Sequence, residues 1–240
     1  MKWFSQWRDD TLKSISRCKT IFVSEKVMNI SLKVLDINMT SNIFVVHNFT
    51  DTRAILSKIR KKTGNTILQE RDRKVMIASA LVPPKGVRSF LKNYRKKGYS
   101  FPVTVAGRGS ELPIMQEEFK DYPVTLLGWL SHEDIINHML LNQVFVVTSL
   151  WEEPCPTTVL EAMFLNKPVF ALQRGGVPEL KAYSLYESQL NLFNSMEELV
   201  DGIANYLAVP STPNDINYSN IDFGACVSKK ALDIISVYNS

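Results

Sequence analysis

The sequence is poor in the residues that mark several common classes of protein. Its 240 residues include three cysteines, Cys18, Cys155 and Cys226, and no C-x-x-C pair. Their odd number and wide spacing argue against a disulfide scaffold or a zinc site, and they favour a reducing compartment. The three histidines also lack the spacing of a metal site. Apolar and charged fractions of 45% and 22% are those of an ordinary globular protein.

Long apolar runs and a strong net charge are missing as well. No window reaches the roughly 18 apolar residues that a membrane span requires. The opening MKWFSQWRDD has no uninterrupted apolar segment, so we expect that it is not a secretory signal. A net charge of +4 does not demand nucleic acid as a partner, although it suits an anionic small ligand or an acidic membrane surface. We therefore expect a cytoplasmic protein, with a peripheral position on the inner membrane face as the alternative.

Short apolar segments rich in valine and isoleucine recur along the chain, with helix-like segments between them. Strands are predicted at residues 20–24, 43–48, 74–79, 102–107, 123–128, 143–149 and 167–172. Their continuous hydrophobicity is typical of strands covered on both faces, and hence of a parallel sheet. Helices are predicted at 86–98 and 131–142, the second capped by Ser131. This alternation predicts an α/β fold, a Rossmann-like parallel sheet with helices on both faces.

Composition divides the chain into three parts. Residues 51–210 carry most of the predicted strands and form the expected main domain. Residues 1–50 predict a helix, a strand, a helix and a second strand, which is too little for a separate core. We interpret them as the end of a preceding domain and a connector. Residues 211–240 comprise a polar connector and a last helix.

Unusual residues follow the predicted strand ends. The segments are LVPPKG, GRGSEL, WLS, WEEPCP and QRGGVPE. Ligands of doubly wound sheets bind beyond the carboxyl ends of the strands, so these loops predict a binding site. GRGSEL lacks a third glycine and is a weak dinucleotide fingerprint; Gly107 is interpreted as a turn residue that could line the cleft.

Residues 149–180, SLWEEPCPTTVLEAMFLNKPVFALQRGGVPEL, hold two carboxylates, Glu153 and Glu161, separated by seven residues. A strand end, an acidic loop and a helix beginning near Thr157 would present backbone N–H groups to a phosphate or diphosphate. Glu161, one turn into the helix, can accept two hydrogen bonds from a vicinal diol such as a ribose. Glu153 could reach hydroxyls of a sugar attached to the diphosphate, and Lys85 offers a positive charge for the phosphates.

Simpler explanations exist for each of these residues. Two glutamates near a helix start are commonly a solvated first turn, and Lys85 taken alone could be a surface lysine. Cys155 lies in the same loop, but no histidine is near it in sequence, so we expect a space-filling role. His132 and His138 are expected simply on a helix and at its cap.

The 149–180 block resembles the signature of the family 4 glycosyltransferases, also called group 1, which have the GT-B fold of two facing Rossmann-like domains. The segments VHNFTD and SALVPPKG resemble two further parts of that family in the same order, so the resemblance covers about residues 17–208. The resemblance implies that this chain is chiefly the C-terminal domain, which binds the sugar donor. The N-terminal acceptor domain would be largely absent.

By this resemblance the chain would transfer a sugar, with retention, from a UDP- or GDP-linked donor to a glycan or lipid-linked acceptor. Cell-surface polysaccharide biosynthesis is the implied setting, and no metal or other cofactor is required. Glu161 would hold the ribose, Glu153 would contact the sugar, and Lys85 would neutralise the diphosphate, which the backbone of Thr157 and Thr158 would cradle. The remaining candidate contacts with the sugar donor are Pro156, Ser79 and Gly107.

Two segments depart from the family pattern. Ser79-Ala80 stands where the family often has Gly-Arg, which removes a second basic residue from the phosphates. Pro154-Cys155-Pro156 replaces the usual Gly-Phe-Gly and leaves the spacing of the two acids unchanged.

Other functions stay open at this point. The main alternative is a truncated or non-catalytic module that binds a nucleotide sugar and needs a partner chain or self-association; a sugar-nucleotide epimerase ranks lower. The charge-rich segment 60–74 is predicted to be a solvated loop, with an anionic membrane contact as the alternative. The apolar cluster Trp3–Phe4–Trp7 could pack against protein or lie on a membrane surface.

Overall fold

The computed structural model describes residues 2–38, 40–63, 74–209 and 221–239. In these ranges the strands are β1 (Thr20–Phe22), β2 (Ile43–Val45), β3 (Val75–Ala78), β4 (Val103–Ala106), β5 (Val124–Gly128), β6 (Val144–Val147), β7 (Val169–Leu172) and β8 (Leu190–Phe193). The α-helices are α1 (Lys2–Arg17), α2 (Glu25–Leu35), α3 (Thr52–Thr63), α4 (Val87–Lys96), α5 (Leu112–Glu118), α6 (His132–Leu141), α7 (Thr157–Phe164), α8 (Met196–Ala208) and α9 (Val227–Asn239). Short 3₁₀ segments span Pro83–Lys85 and Pro178–Tyr183.

Six strands form one parallel sheet in the order β5-β4-β3-β6-β7-β8. This confirms the predicted α/β fold. All seven predicted strands are present, each shorter than predicted, because the apolar runs continue into the loops beyond the paired residues. The edge strand β8 was not predicted: its sequence LNLF is short, contains Asn191 and lacks valine and isoleucine.

Apolar side chains cover the sheet on both faces. Met76 packs in one buried cluster with residues of α3, α6 and α7. Its neighbours Val75 and Ile77 pack in a second cluster with residues of α4, α5 and α8. Since successive strand residues point to opposite faces, each strand contributes to both clusters. This double covering explains why the strands are apolar along their whole length.

Residues before β3 include a second, two-stranded parallel sheet of β1 and β2. It packs with α1 and α2 around a small cluster of buried residues: Ile15, Met28, Leu32, Leu35 and Ile43. The sequence suggested too few apolar residues for a core there, whereas the structure forms a small one. The division into domains at residues 50 and 210 stays a prediction.

Two helix predictions match the structure closely. Ser131 caps α6, because its hydroxyl accepts the Asp134 N–H at 3.2 Å. Helix α9 also forms where the last helix was predicted. The predicted loop 60–74 is wrong at its start, since residues 60–63 continue α3. Residues 64–73, most of the polar connector, and the side chains of Trp3, Phe4 and Trp7 lie outside the described part.

Candidate functional site

A cavity of about 340 Å³ lies at the carboxyl ends of β3 and β6. The loop after β3 carries Ser79 and Lys85, and the loop after β6 carries Glu153 and leads into α7. The cavity brings together six of the predicted residues: Ser79, Lys85, Glu153, Pro156, Thr157 and Thr158. Adjacent parallel strands β3 and β6 have crossovers on opposite sides, so this is the crevice where such sheets bind ligands.

Lys85 and Glu153 form a close ion pair within this cavity. Lys85 Nζ lies 2.6 Å from Glu153 Oε1, which also accepts a hydrogen bond from the Ser149 hydroxyl. Burial opposes ionisation of Glu153, but the hydrogen bonds from Lys85 and Ser149 outweigh it and lower the pKa of the carboxyl below its usual range. Lys85 Nζ also lies 4.4 Å from the ring centroid of Trp151. The site therefore holds a buried carboxylate and a cation fixed by two partners.

The N-terminus of α7 faces the same cavity. Pro156 precedes the helix, no side chain caps it, and Thr157 and Thr158 form its first turn and line the cavity. The first N–H groups of a helix lack partners within the helix and carry partial positive charge. Together with Lys85, they make this side of the cavity suitable for an anionic group such as a phosphate.

A glycine turn holds the acidic loop in place. Gly176 donates its N–H to the Glu153 carbonyl at 2.7 Å, and Gly175 donates to Glu152 Oε2 at 2.5 Å. Gly175 has a φ of +56°, and a Cβ there would lie 2.0 Å from the Glu153 carbonyl oxygen. Only glycine permits both the conformation and the close approach. The Gly-Gly pair of the sequence block therefore fixes the backbone that presents Glu153.

A second cavity of about 400 Å³ adjoins the first and shares Ser79 and Thr158 with it. Gly107 lines it, as predicted for a turn residue, together with the exposed side chains of Arg108 and Trp129. Gly107 has a φ of +151°, and a Cβ there would lie 1.8 Å from the Ser79 carbonyl oxygen. The absence of a side chain therefore lets the loops after β3 and β4 meet.

The structure places Glu161 differently from the other candidates. In the described part of the chain it lines neither cavity, although Thr158, one turn earlier on α7, lines both. Glu161 is 8% exposed, and its Oε1 lies 2.9 Å from His132 Nε2. Burial raises the pKa of Glu161, against the opposing influence of His132 and Lys58.

Sequence reasoning missed His132, which it assigned to a helix end with no further part. His132 is the first residue of α6 and contacts Glu161 across 29 positions of sequence. Its Nδ1 lies 2.9 Å from Lys58 Nζ on α3. Neither residue belongs to a recognisable spacing pattern, so no signal in the sequence identifies the contact.

Cys155 packs as the sequence predicted. The thiol is buried and accepts the Asn48 N–H at 3.3 Å. Burial raises the pKa of Cys155 to about 11, so the thiol stays protonated near neutral pH. Asn48 also donates its side-chain N–H to the Cys155 carbonyl at 2.7 Å, which ties the VHNFTD segment to the acidic loop.

Fold and cavity together define a Rossmann-like domain whose crevice is built for an anionic ligand. Residues 58–222 match the family described as glycosyl transferases group 1, and the chain therefore belongs to this family.

Two curated relatives resemble parts of the chain. One is a human protein of the phosphatidylinositol N-acetylglucosaminyltransferase complex, 28% identical over 113 residues, which are 44% of this chain and 23% of the relative. The other is the putative glycosyltransferase YtcC of Bacillus subtilis, 26% identical over 164 residues, which are 62% of this chain and 39% of the relative. The chain thus spans well under half of each.

Solved structures share the fold. Anabaena Alr3699/HepE, crystallised with UDP and glucose, superposes with a TM-score of 0.65 at 19% identity, covering 92% of this chain and 62% of that protein. TarM gives a TM-score of 0.65 at 17% identity, with 94% and 44% covered. These neighbours are GT-B glycosyltransferases, which confirms the predicted fold type.

Two searches of the described residues bear on ligands and membranes. They contain no group of three or more histidine, cysteine or carboxylate side chains arranged to hold a metal ion. None of their helices combines the length and the hydrophobicity needed to cross a membrane. Independence from a metal, and the predicted location, stay predictions.

Proposed function

We propose that this chain binds the sugar donor of a retaining glycosyltransferase of family 4 type. The donor would be a UDP- or GDP-linked sugar, bound without a required metal, and the acceptor a glycan or a lipid-linked molecule. The observation that carries this proposal is the convergence of Lys85, Glu153 and the first turn of α7 on one cavity at the sheet edge. The Anabaena neighbour, crystallised with UDP and glucose, supports a nucleotide sugar as the ligand class.

The residues have separate tasks in the proposed reaction. When the bond between sugar and diphosphate breaks, negative charge builds up on the leaving phosphate oxygen. Lys85 and the N–H groups of Thr157 and Thr158 stabilise that charge, because they are already oriented before the reaction begins. Glu153, kept ionised by its hydrogen bonds, accepts hydroxyls of the sugar and stabilises its developing positive charge.

Glu161 is assigned to the ribose of the nucleotide. A carboxylate with two oxygens can accept a hydrogen bond from each hydroxyl of a vicinal diol. Ser79 and Gly107 complete the walls of the paired cavities, so the nucleoside part would occupy the second cavity and the diphosphate the first. The base could then stack on the exposed ring of Trp129.

Acceptor, setting and location follow from the family alone in this proposal. The human relative is named for a transfer to phosphatidylinositol, which favours a lipid-linked acceptor. Cell-surface polysaccharide biosynthesis at the cytoplasmic side of the inner membrane is the setting we propose. Nucleic acid is not a proposed partner, since the net charge is only +4.

A second candidate is a non-catalytic module that binds the nucleotide sugar and works with a partner chain or a second copy. The observation that favours it is an exposed apolar face on α9: Leu232, Ile235 and Tyr238 are 67%, 53% and 69% exposed. These residues recur at three-residue intervals and therefore lie on one side of the helix. Such a face commonly marks a contact with another protein surface.

Calorimetric titration of the chain with UDP, GDP and their common sugar conjugates tests the proposal. We expect saturable binding of one nucleotide class and a loss of affinity of about tenfold or more in Lys85→Ala, because a charge-assisted contact with the diphosphate is removed. Lys92→Ala, an exposed lysine on α4, is the matched control and should bind normally. A folded chain that binds none of these ligands would contradict the proposal.

Turnover distinguishes the two candidates. An enzyme hydrolyses or transfers the sugar of its bound donor, slowly even with water as the acceptor, whereas the module returns the donor intact. Release of the sugar, followed by chromatography, and its anomeric configuration by NMR would identify a retaining transferase. Binding without any release, with or without added acceptors, would favour the module.

A further inference from the structure

Three residues from three helices form a continuous hydrogen-bonded chain beside the second cavity. Lys58 Nζ on α3 lies 2.9 Å from His132 Nδ1 on α6, and His132 Nε2 lies 2.9 Å from Glu161 Oε1 on α7. The chain runs from an exposed cation to a carboxylate whose side chain is only 10% exposed, while the imidazole between them is half exposed.

The chemistry of the three groups fixes the direction of this chain. An ammonium group can only donate hydrogen bonds, so His132 Nδ1 must accept from Lys58. The neutral imidazole then carries its proton on Nε2 and donates it to Glu161. A doubly protonated ring would instead direct an N–H against the ammonium. Lys58 therefore selects the tautomer that suits the carboxylate.

The position of the chain relates it to the site. Thr158 lies one turn before Glu161 on α7, and Ile135 lies one turn after His132 on α6; both line the second cavity. Among the described residues, only Oε1 of Glu161 has a hydrogen bond, and its other oxygen, Oε2, accepts none. One carboxylate oxygen is thus held, and the other is left to accept a ligand.

We propose that His132 and Lys58 are positioning residues, which orient the Glu161 carboxylate toward the ribose hydroxyls of the bound nucleotide. The inference rests on the proposed function, since it takes Glu161 as the ribose contact. His132 touches Glu161 rather than the ligand. Its contribution is to hold the carboxylate ionised and in one rotamer, so that less conformational freedom is lost when the ribose binds.

A purely structural contact between α6 and α7 is the competing explanation, and the two differ in what they predict for ligand selectivity. A structural contact affects the stability of the fold and all ligands alike. A positioning contact affects only ligands that carry the diol. Removing the diol from the ligand is therefore the decisive comparison.

The test compares UDP and GDP with their 2′,3′-dideoxy forms by calorimetric titration. In His132→Ala we expect affinity for the ribonucleotide to fall about tenfold and affinity for the dideoxy form to change less than about twofold. Lys58→Met should shift the same ratio in the same direction by a smaller factor. His132→Gln should restore much of the preference for ribose, because an amide N–H can replace Nε2–H without help from Lys58.

Controls separate this inference from the function on which it rests. His138→Ala, on the same helix, should leave both affinities unchanged, and thermal unfolding verifies that every variant folds. An equal loss for both ligands in His132→Ala, or no loss, would overturn the positioning role while sugar-donor binding stands. Wild type that binds the two forms equally would overturn the assignment of Glu161 as well. Wild type that binds neither nucleotide would overturn the proposed function itself.

Discussion

Single residues in this site depend on one another for their charge. Glu153 is buried, and burial alone would raise the pKa of its carboxyl. Lys85 and Ser149 reverse that tendency, so the pKa of folded Glu153 lies below its ordinary value of 4.5. The ionised carboxyl then contributes stability that is complete above about pH 4.5 and is lost as the pH falls through the lower folded value.

Removal of Lys85 should reverse this dependence. In Lys85→Met the burial of Glu153 remains, so the pKa of its carboxyl should rise above the ordinary value and ionisation should oppose folding. We expect the variant to be less stable than wild type by about 1–3 kcal/mol at pH 7, with a smaller difference at pH 4. Urea unfolding at both pH values measures the two differences.

The matched control is Lys92→Met, which removes an exposed lysine and should lose little stability at either pH. A Lys85→Met difference that stays constant between pH 4 and pH 7 would show that Lys85 does not govern the ionisation of Glu153.

At the scale of elements, the turn after β7 determines where the acidic loop lies. Gly175 and Gly98 both have positive φ values, +56° and +72°. An added Cβ at Gly175 would collide with the Glu153 carbonyl oxygen, whereas at Gly98 it would meet open space. The two glycines therefore separate the cost of backbone conformation from the cost of displacing the site loop.

We predict that Gly98→Ala costs about 1 kcal/mol of folding free energy, the penalty for a left-handed alanine. Gly175→Ala should cost clearly more, about 3 kcal/mol, and should weaken nucleotide binding, because the loop that carries Glu153 must move. Chemical denaturation and titration with UDP and GDP measure both effects. Equal stability losses and unchanged binding in the two variants would argue against a positioning role for the turn.

Across the whole molecule, Glu179 links the small N-terminal sheet unit to the main domain. Its carboxylate accepts the backbone N–H groups of Glu25 and Lys26 at 2.8 Å each, and it lies 2.9 Å from His47 Nε2. Burial opposes its charge, but these partners outweigh it and lower the pKa of Glu179. His47 also contacts the Tyr183 hydroxyl at 2.8 Å. One carboxylate at the N-terminus of α2 thus connects both parts.

Glu179→Ala should loosen this connection. We expect a loss of about 1–3 kcal/mol and faster hydrogen exchange at the Glu25 and Lys26 amides, which lose their hydrogen-bond acceptor. Exchange within α8, which packs on the far face of the main sheet, should change little. Glu187→Ala removes an exposed carboxylate and serves as the control. Unchanged exchange at the first turn of α2 would contradict this linking role.

The sequence alone determined the architecture of the main sheet and one half of its site. Runs of valine and isoleucine predicted seven of the eight strands in the described ranges, because a strand covered on both faces must be apolar throughout. The rule that ligands bind at the carboxyl ends of parallel strands then predicted that the loops of Ser79, Lys85 and Glu153 converge, as they do in the first cavity.

Only the tertiary structure decided which distant side chains meet. Lys58, His132 and Glu161 lie on separate helices, and their contacts depend on how α3, α6 and α7 pack on one face of the sheet. His47 and Glu179 are likewise 132 positions apart. Hydrophobic periodicity specifies which face of an element is buried, but it leaves open the rotation and offset at which two elements pack. Hydrogen-bond distances are sensitive to shifts of less than an ångström, so these contacts exist only once the fold is complete.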